Sequence, residues 1–456
     1  MTSTALPKRT ALNRNIPTDS STESSACVSP SDSLRPSPSS TSLSSLASDA
    51  QEEPLKLVDT YGNPFEIPDF TIKQIRDAIP AHCFKRSALR SLSYVARDIS
   101  ALAGTFYLFH NYVTPEYIPS TPIRAGLWGL YTFVQGLFGT GLWVMAHECG
   151  HQAFSPFRLL NDTVGWICHS ALLVPYFSWK ISHSKHHKAT GNMDRDMVFV
   201  PKTREVFASR YGYLAHELHE LMEETPHPDR YAHDPAAAVR MALPEGRGKG
   251  KKNGFFSGVN HFNPSSPLYE AKHVPLILLS DLGLMITGSA LYWVGQNFGW
   301  ANLAVWYFVP YLWVNHWLVA ITYLQHTDPT LPHYASQAWT FTRGAAATID
   351  REFGFIGRYL FHGIIETHVL HHYVSTIPFY NADEASEAIK PVMGKHYRSD
   401  TKDGSWGFIK SLWKSARTCH WVEPCEGAKG EGQHVYFFRN RNNIGVRPSA
   451  VATKSS

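Results

Sequence analysis

Residues 125–151 read AGLWGLYTFVQGLFGTGLWVMAHECGH. Ala125 to Ala146 is a run of 22 residues without a charged side chain. A helix of that length crosses roughly 30 Å of hydrocarbon. The run then gives way to His147-Glu148-Cys149-Gly150-His151, which sets two imidazoles four residues apart on one helical face. Neutral imidazole is a ligand for iron, zinc, copper and nickel. An apolar span ending in such a box predicts an all-α membrane protein with metal chemistry at the bilayer surface.

Three further runs extend this pattern. Gly299 to Gln325 is apolar and uncharged, and Val274 to Phe298 carries only Asp281. Leu92 to Val113 contains Arg97 and Asp98, which are expected to pair or to snorkel at an interface. Thr163 to Trp179 is shorter and contains Pro175, so it is read as interfacial or re-entrant. Four transmembrane helices result. Lys85, Arg86 and Arg90 precede the first, and residues 147–272 and the tail after Gln325 are rich in Lys and Arg. The loops 114–122 and 297–302 carry neither. The positive-inside rule then puts both termini, the long middle segment and a histidine-rich cap in the cytosol.

The 456 residues include 24 His, and their placement is uneven. His147 and His151 form HxxxH; His183, His186 and His187 form HxxHH; His368, His371 and His372 repeat HxxHH. These windows hold eight His in 15 residues, where an even spread would give about one. Residues i, i+3 and i+4 share a helix face, so each box is expected to aim its imidazoles at one point. All three boxes fall on the cytosolic side of the charge-derived topology. Eight ligands exceed what one tetrahedral metal takes and suit two metals with open positions. His326, at the end of the last span, is the expected ninth ligand. Glu148, Asp196 and Glu366 flank the boxes and are candidates to hold ligand N–H groups. His169 and His362 lie near the boxes and are otherwise read as structural.

Other classes fit less well. His147-Glu148-x-x-His151 is also the zinc metalloprotease motif, but a protease leaves boxes two and three unexplained. A metal transporter would place ligands at the bilayer midplane, whereas these boxes lie outside the spans. A net charge of +4 is too weak and dispersed for nucleic acid to be the partner. Six Cys form no CxxC pair and no dense framework, which excludes a disulfide-stapled fold. The fragment 216–220 (HELHE) is read as a solvated helix face. Residues 1–52 are Ser/Thr-rich and expected to be disordered, 53–440 form the main domain, and 441–456 a flexible tail.

HECGH, HSKHH and HVLHH, in this order and spacing, resemble the boxes of the membrane fatty acyl desaturases. The surrounding stretches GWICHSALLVPYFSWKISHSKHHKATGNMDRDMVFVPK, ITYLQHTDPTLPHY and ATIDREFGFIGRYLFHGIIETHVLHHYVSTIPFYNADEASEAIKPV are similar to delta-12 (oleate) desaturases of filamentous fungi. The resemblance covers roughly residues 54–440. It implies two non-haem iron ions, O2 as co-substrate, and conversion of oleoyl to linoleoyl chains on phospholipid. It implies iron ligation by His147, His151, His183, His186, His187, His368, His371 and His372, with His326. Electrons would come from cytochrome b5 and its reductase, as separate proteins because no HPGG haem motif occurs here. The endoplasmic reticulum membrane is the implied location. Omega-3 desaturation or 12-hydroxylation is the alternative outcome within the same chemistry. One departure stands out: relatives carry an apolar stretch where residues 226–244 (PHPDRYAHDPAAAVRMALP) are polar, which points to a deletion or a mis-spliced gene model.

Overall fold

Residues 57–198, 200–209 and 259–449 are described by the computed structural model. The segments 216–220, 226–244, 1–52 and 450–456 lie outside the described residues; residues 441–449 of the expected tail lie within them, and the Val446 amide donates to the Thr60 carbonyl at 2.7 Å.

A capping box opens α1 (Ile72–Ala78): the Thr71 hydroxyl accepts from the Gln74 amide, and the Gln74 side chain accepts from the Thr71 amide. Ser87 caps α2 (Ala88–Tyr112). Pro122 stands in the first turn of α3 (Thr121–Gly150), where a missing N–H costs nothing. Thus α3 starts ahead of the uncharged run and continues unbroken into box one. Next come α4 (Arg158–Ala171) and α5 (Tyr176–His187). They divide the expected interfacial segment at Leu172–Pro175, where Leu173 takes φ 55°. On α4, Leu159 and Ile167 are exposed, as an interfacial helix requires.

The run starting at Val274 is α6 (Val274–Phe298), with the bounds expected. Gly299, at φ 91°, ends it. A short helix at Trp300–Leu303 and a π-helical turn at Ala304–Phe308 lead into α7 (Val309–His326). Pro310 explains the irregular turn, because it has no N–H for the carbonyl four residues back, on Trp306. The Tyr131 hydroxyl donates to that carbonyl at 3.3 Å.

Two of these helical stretches, Ala271–Phe298 and Trp300–His326, are long and apolar enough to cross a membrane. Only 17% and 28% of their most apolar windows are buried, whereas a soluble core helix would be mostly buried. Packing joins α2 to α3, α3 to α7 and α4 to α6. In α3 burial is nearly continuous from Tyr131 to Cys149. Arg97 and Asp98 do pair, at 2.6 Å, and Asp98 is fully buried.

Beyond α7 the chain forms small elements around the ends of these helices. β1 (Leu57–Val58) and β2 (Pro64–Phe65), ahead of α1, pair antiparallel; beyond α7, β3 (His333–Tyr334), β7 (Val435–Arg439) and β6 (Trp421–Pro424) pair antiparallel in that order, with His333 opposite Tyr436 and Trp421 opposite Arg439. β4 (Asp350–Arg351) runs parallel to β5 (Ser399–Asp400). Between them lie α8 (His368–Tyr373), α9 (Ala382–Met393) and, after β5, α10 (Gly404–Thr418). A core of Ile75, Val369, Leu370, Ile377, Ala385 and Ile389 clamps α8 between α1 and α9.

Candidate metal centre

Four helix segments deliver the histidines. Box one ends α3, box two ends α5, His326 ends α7, and box three is α8. All nine expected ligands come together, in two groups. Ligand nitrogens of His147, His151, His183, His187 and His371 lie within 4.8 Å of one another. Those of His186, His326 and His372 do the same, and His368 Nε2 joins them, 3.0 Å from His326 Nε2.

This corrects the expectation that each box aims at one point. Box one does. In box two, His183 and His187 share one face while His186 serves the other group. In box three, His368 and His372 serve the second group while His371 crosses to the first. Adjacent residues stand about 100° apart around a helix, so the paired His186 and His187, and His371 and His372, diverge to different groups. The neighbouring groups touch where the His187 and His372 rings stack, with centroids 4.2 Å apart.

Imidazole faces imidazole at the centre of each group. His183 Nε2 lies 3.0 Å from His147 Nε2 and 3.1 Å from His187 Nε2. His187 Nε2 is also 3.1 Å from His371 Nε2. His326 Nε2 meets both His186 Nε2, at 3.3 Å, and His368 Nε2. A neutral ring has one donor and one acceptor, so such convergence leaves lone pairs opposed. His151 Nε2 and His372 Nε2 are buried with no hydrogen-bond partner among the described residues. A cation between the rings resolves both problems, so the donor set fits a pair of metals. Burial, with neighbouring imidazoles, holds His183 and His187 well below the usual histidine range and drops His371 to about 3. Those rings are neutral at pH 7, as ligation needs.

The far nitrogens show which residues orient the rings. His186 Nδ1 donates to Asp196 Oδ1 at 2.7 Å, and Asp196 also accepts from the Gly191, Met197 and Val198 amides. Asp196 therefore holds a ring, as expected of it. Glu366 does not: its Oε1 accepts from the Phe353 amide at 3.1 Å, and burial pushes its carboxyl up to about 8. Glu148 Oε2 accepts from the Phe379 amide at 3.2 Å, and its other oxygen is 3.5 Å from His147 Nδ1. That carboxylate is committed to backbone, unlike a protease base.

Two residues were not anticipated. Thr190, one turn beyond His186, holds His372 Nδ1 at 3.1 Å. Asp350 accepts from the Val369 amide at 2.8 Å and from the Tyr397 hydroxyl, fixing the start of α8. Burial pushes its carboxyl up to about 7. Of the two histidines kept open, His362 bonds Asp98 at 2.8 Å, and His169 packs among Trp143, Tyr176 and Trp179. Neither joins the groups. Beside His371 lies a small cavity lined by Val144, Leu370, Val374, Ile377 and Phe379 together with Glu148, His362 and Thr367.

The comparisons agree with this setting. A family model described as fatty acid desaturase matches residues 125–403, and a model for a domain of unknown function matches residues 37–105. The chain is 60% identical over 451 residues to an oleate hydroxylase of Claviceps purpurea, covering 95% of this chain and 94% of that one. It is 40% identical over 398 residues to a delta(12) fatty acid desaturase of Mortierella isabellina, covering 84% and 94%. It is also 40% identical over 395 residues to an omega-6 fatty acid desaturase, endoplasmic reticulum isozyme 2, of Glycine max, covering 86% and 96%. Boxes that converge as these do, within matches of this extent, lead to one conclusion: the chain belongs to the fatty acid desaturase family.

Proposed function

We propose that this chain is a membrane acyl-lipid desaturase that inserts a cis double bond at the delta-12 position of oleoyl chains, giving linoleoyl chains. The convergence of nine buried imidazoles into two groups supports this reading most directly. One iron would be held by His147, His151, His183, His187 and His371, the other by His186, His326, His368 and His372. Bound there, the irons supply the O2 activation that methylene C–H cleavage demands and that side-chain acid–base chemistry lacks. The protein's own part is positional. Asp196 and Thr190 fix ring orientation, and Asp350 fixes α8. In the net reaction two hydrogens leave adjacent methylenes, and O2 with two electrons and two protons becomes two waters. Cytochrome b5 and its reductase are the proposed electron source, on an oleoyl phospholipid substrate in the endoplasmic reticulum membrane.

The proposed topology has four spans: α2, α3, α6 and the helix ending at His326. Their ends group by side. Phe106, Phe298 and Trp306 meet at one end, near Trp128 and Tyr131, and the histidines gather at the other, proposed as cytosolic. Exposed Tyr112, Tyr117, Tyr292, Trp293 and Trp300 at the first end suit a membrane interface.

A second reading, 12-hydroxylation, is favoured by the 60% identity to an oleate hydroxylase. Expression in yeast that makes no linoleate, followed by gas chromatography of its fatty acids, tests both. Linoleate supports desaturation, a 12-hydroxy acid supports the second reading, and neither product would overturn both.

A further inference from the structure

Helix α10 (GSWGFIKSLWKSART) presents apolar residues on two opposite sides. Its inner face is buried at Phe408, Ser411, Ser415 and Thr418. Its outer face carries Trp406, 73% exposed, Ile409, 42% exposed, and Trp413, 69% exposed. Spacings of three and four residues line these up in one stripe. Two solvent-facing Trp on one short helix demand a covering surface.

The helix is held firmly. Phe408 packs on Phe353 with centroids 4.6 Å apart, and the Ser405 hydroxyl donates to the Phe353 carbonyl. Ser415 donates to the Thr327 carbonyl at 3.1 Å. The fully buried Arg351 donates to Ser411 Oγ and to the Leu324 carbonyl, and pairs with Asp328. These contacts fix α10 to the last turn of α7. On α7 itself, Leu312 and Val319 are 63% and 61% exposed, where a span would meet lipid. From Val319 to His326 is about 10 Å of helix, so α10 stands just past the hydrocarbon edge. Phe355 and Tyr359, close in sequence to Phe353, are exposed as well. Lys410 and Arg417 are exposed on the helix, and Lys402 is exposed just before it. Lys410 pairs with Asp403, and Arg417 sits 5.8 Å over the Trp413 ring. Aromatic residues flanked by basic ones suit the boundary between acyl chains and phosphates.

We propose that α10 lies in the membrane surface, its Trp406–Ile409–Trp413 stripe inserted between lipid headgroups while Lys402, Lys410 and Arg417 meet phosphates. This rests on the membrane reading above. It makes α10 the device that sets the height of the histidine groups over the bilayer. Packing of α10 against α7, a helix long, apolar and exposed enough to meet lipid, favours lipid over a protein partner.

Nitroxide labels at Ile409→Cys and Trp413→Cys test it in phosphatidylcholine–phosphatidylserine proteoliposomes, with the unsubstituted chain giving the background. Neither change removes a buried side chain. Collision rates with O2 and with a water-soluble nickel chelate report depth. Labels at Leu282→Cys on α6 and Glu387→Cys on α9 serve as lipid and water references. Both test positions are expected to favour O2, between the two references. Nickel access at 409 and 413 equal to that at 387, with 282 still in lipid, overturns the inference and leaves the membrane reading intact. A water-exposed 282 overturns both. Shielding of 409 and 413 that appears only on adding soluble cytochrome b5 assigns the face to a protein and also overturns the inference.

Discussion

Asp196 is the residue whose removal should separate ring orientation from ligation. Its carboxylate keeps His186 Nδ1 as donor, so that Nε2 faces the second group. Asp196→Asn is expected to lower metal affinity or turnover by about 10- to 100-fold, read by metal titration of the purified protein. Unchanged affinity and turnover would contradict the orienting role. The buried histidines also fix a pH response. Burial lowers His183, His187 and His371 below the range they regain on unfolding. Their contribution to stability is therefore complete above about pH 6.5 and is lost as pH falls below it. Metal-free protein should unfold progressively more easily from pH 7 to pH 5, checked by thermal melts; a flat profile would contradict it. All nine histidines were legible from spacing and resemblance, because box spacing is local. Asp350 and Thr190 were not. The hydrogen bonds of Asp350 reach Val369 and Tyr397, and that of Thr190 reaches His372, partners no local pattern joins.

Close approach between helices depends on small residues in α3. A Cβ at Gly136 would stand 2.3 Å from Trp313 Cβ, and one at Gly139 would stand 2.8 Å from Val314 Cγ2. Gly136→Val should force α3 and α7 apart and cost about 1–3 kcal/mol, seen as a lower melting temperature in detergent. An unchanged melt would mean the helices are not in contact there. Apolar patterning found α6 to the residue, since composition and length decide such a helix. It gave no sign of the π turn at Ala304–Phe308, where Pro310 leaves the Trp306 carbonyl without its helical N–H and the Tyr131 hydroxyl of another helix donates to it instead. Nor did counting boxes reveal that boxes two and three each serve both groups, although the helical step contains that information.

The described residues between 57 and 449 form a helical bundle with the histidine groups at one end of the helices. The side on which that end lies is the proposal made from the loop charges. A glycosylation acceptor inserted between Val113 and Ser120 should be modified in the endoplasmic reticulum lumen, whereas one placed at Ser399 should not. The reverse pattern would invert the topology. Above all, the proposed function assigns one metal to each of the two histidine groups. Elemental analysis of the purified, active protein is expected to find two irons per chain, falling toward one in His326→Ala. A single zinc, or an active protein without iron, would contradict it.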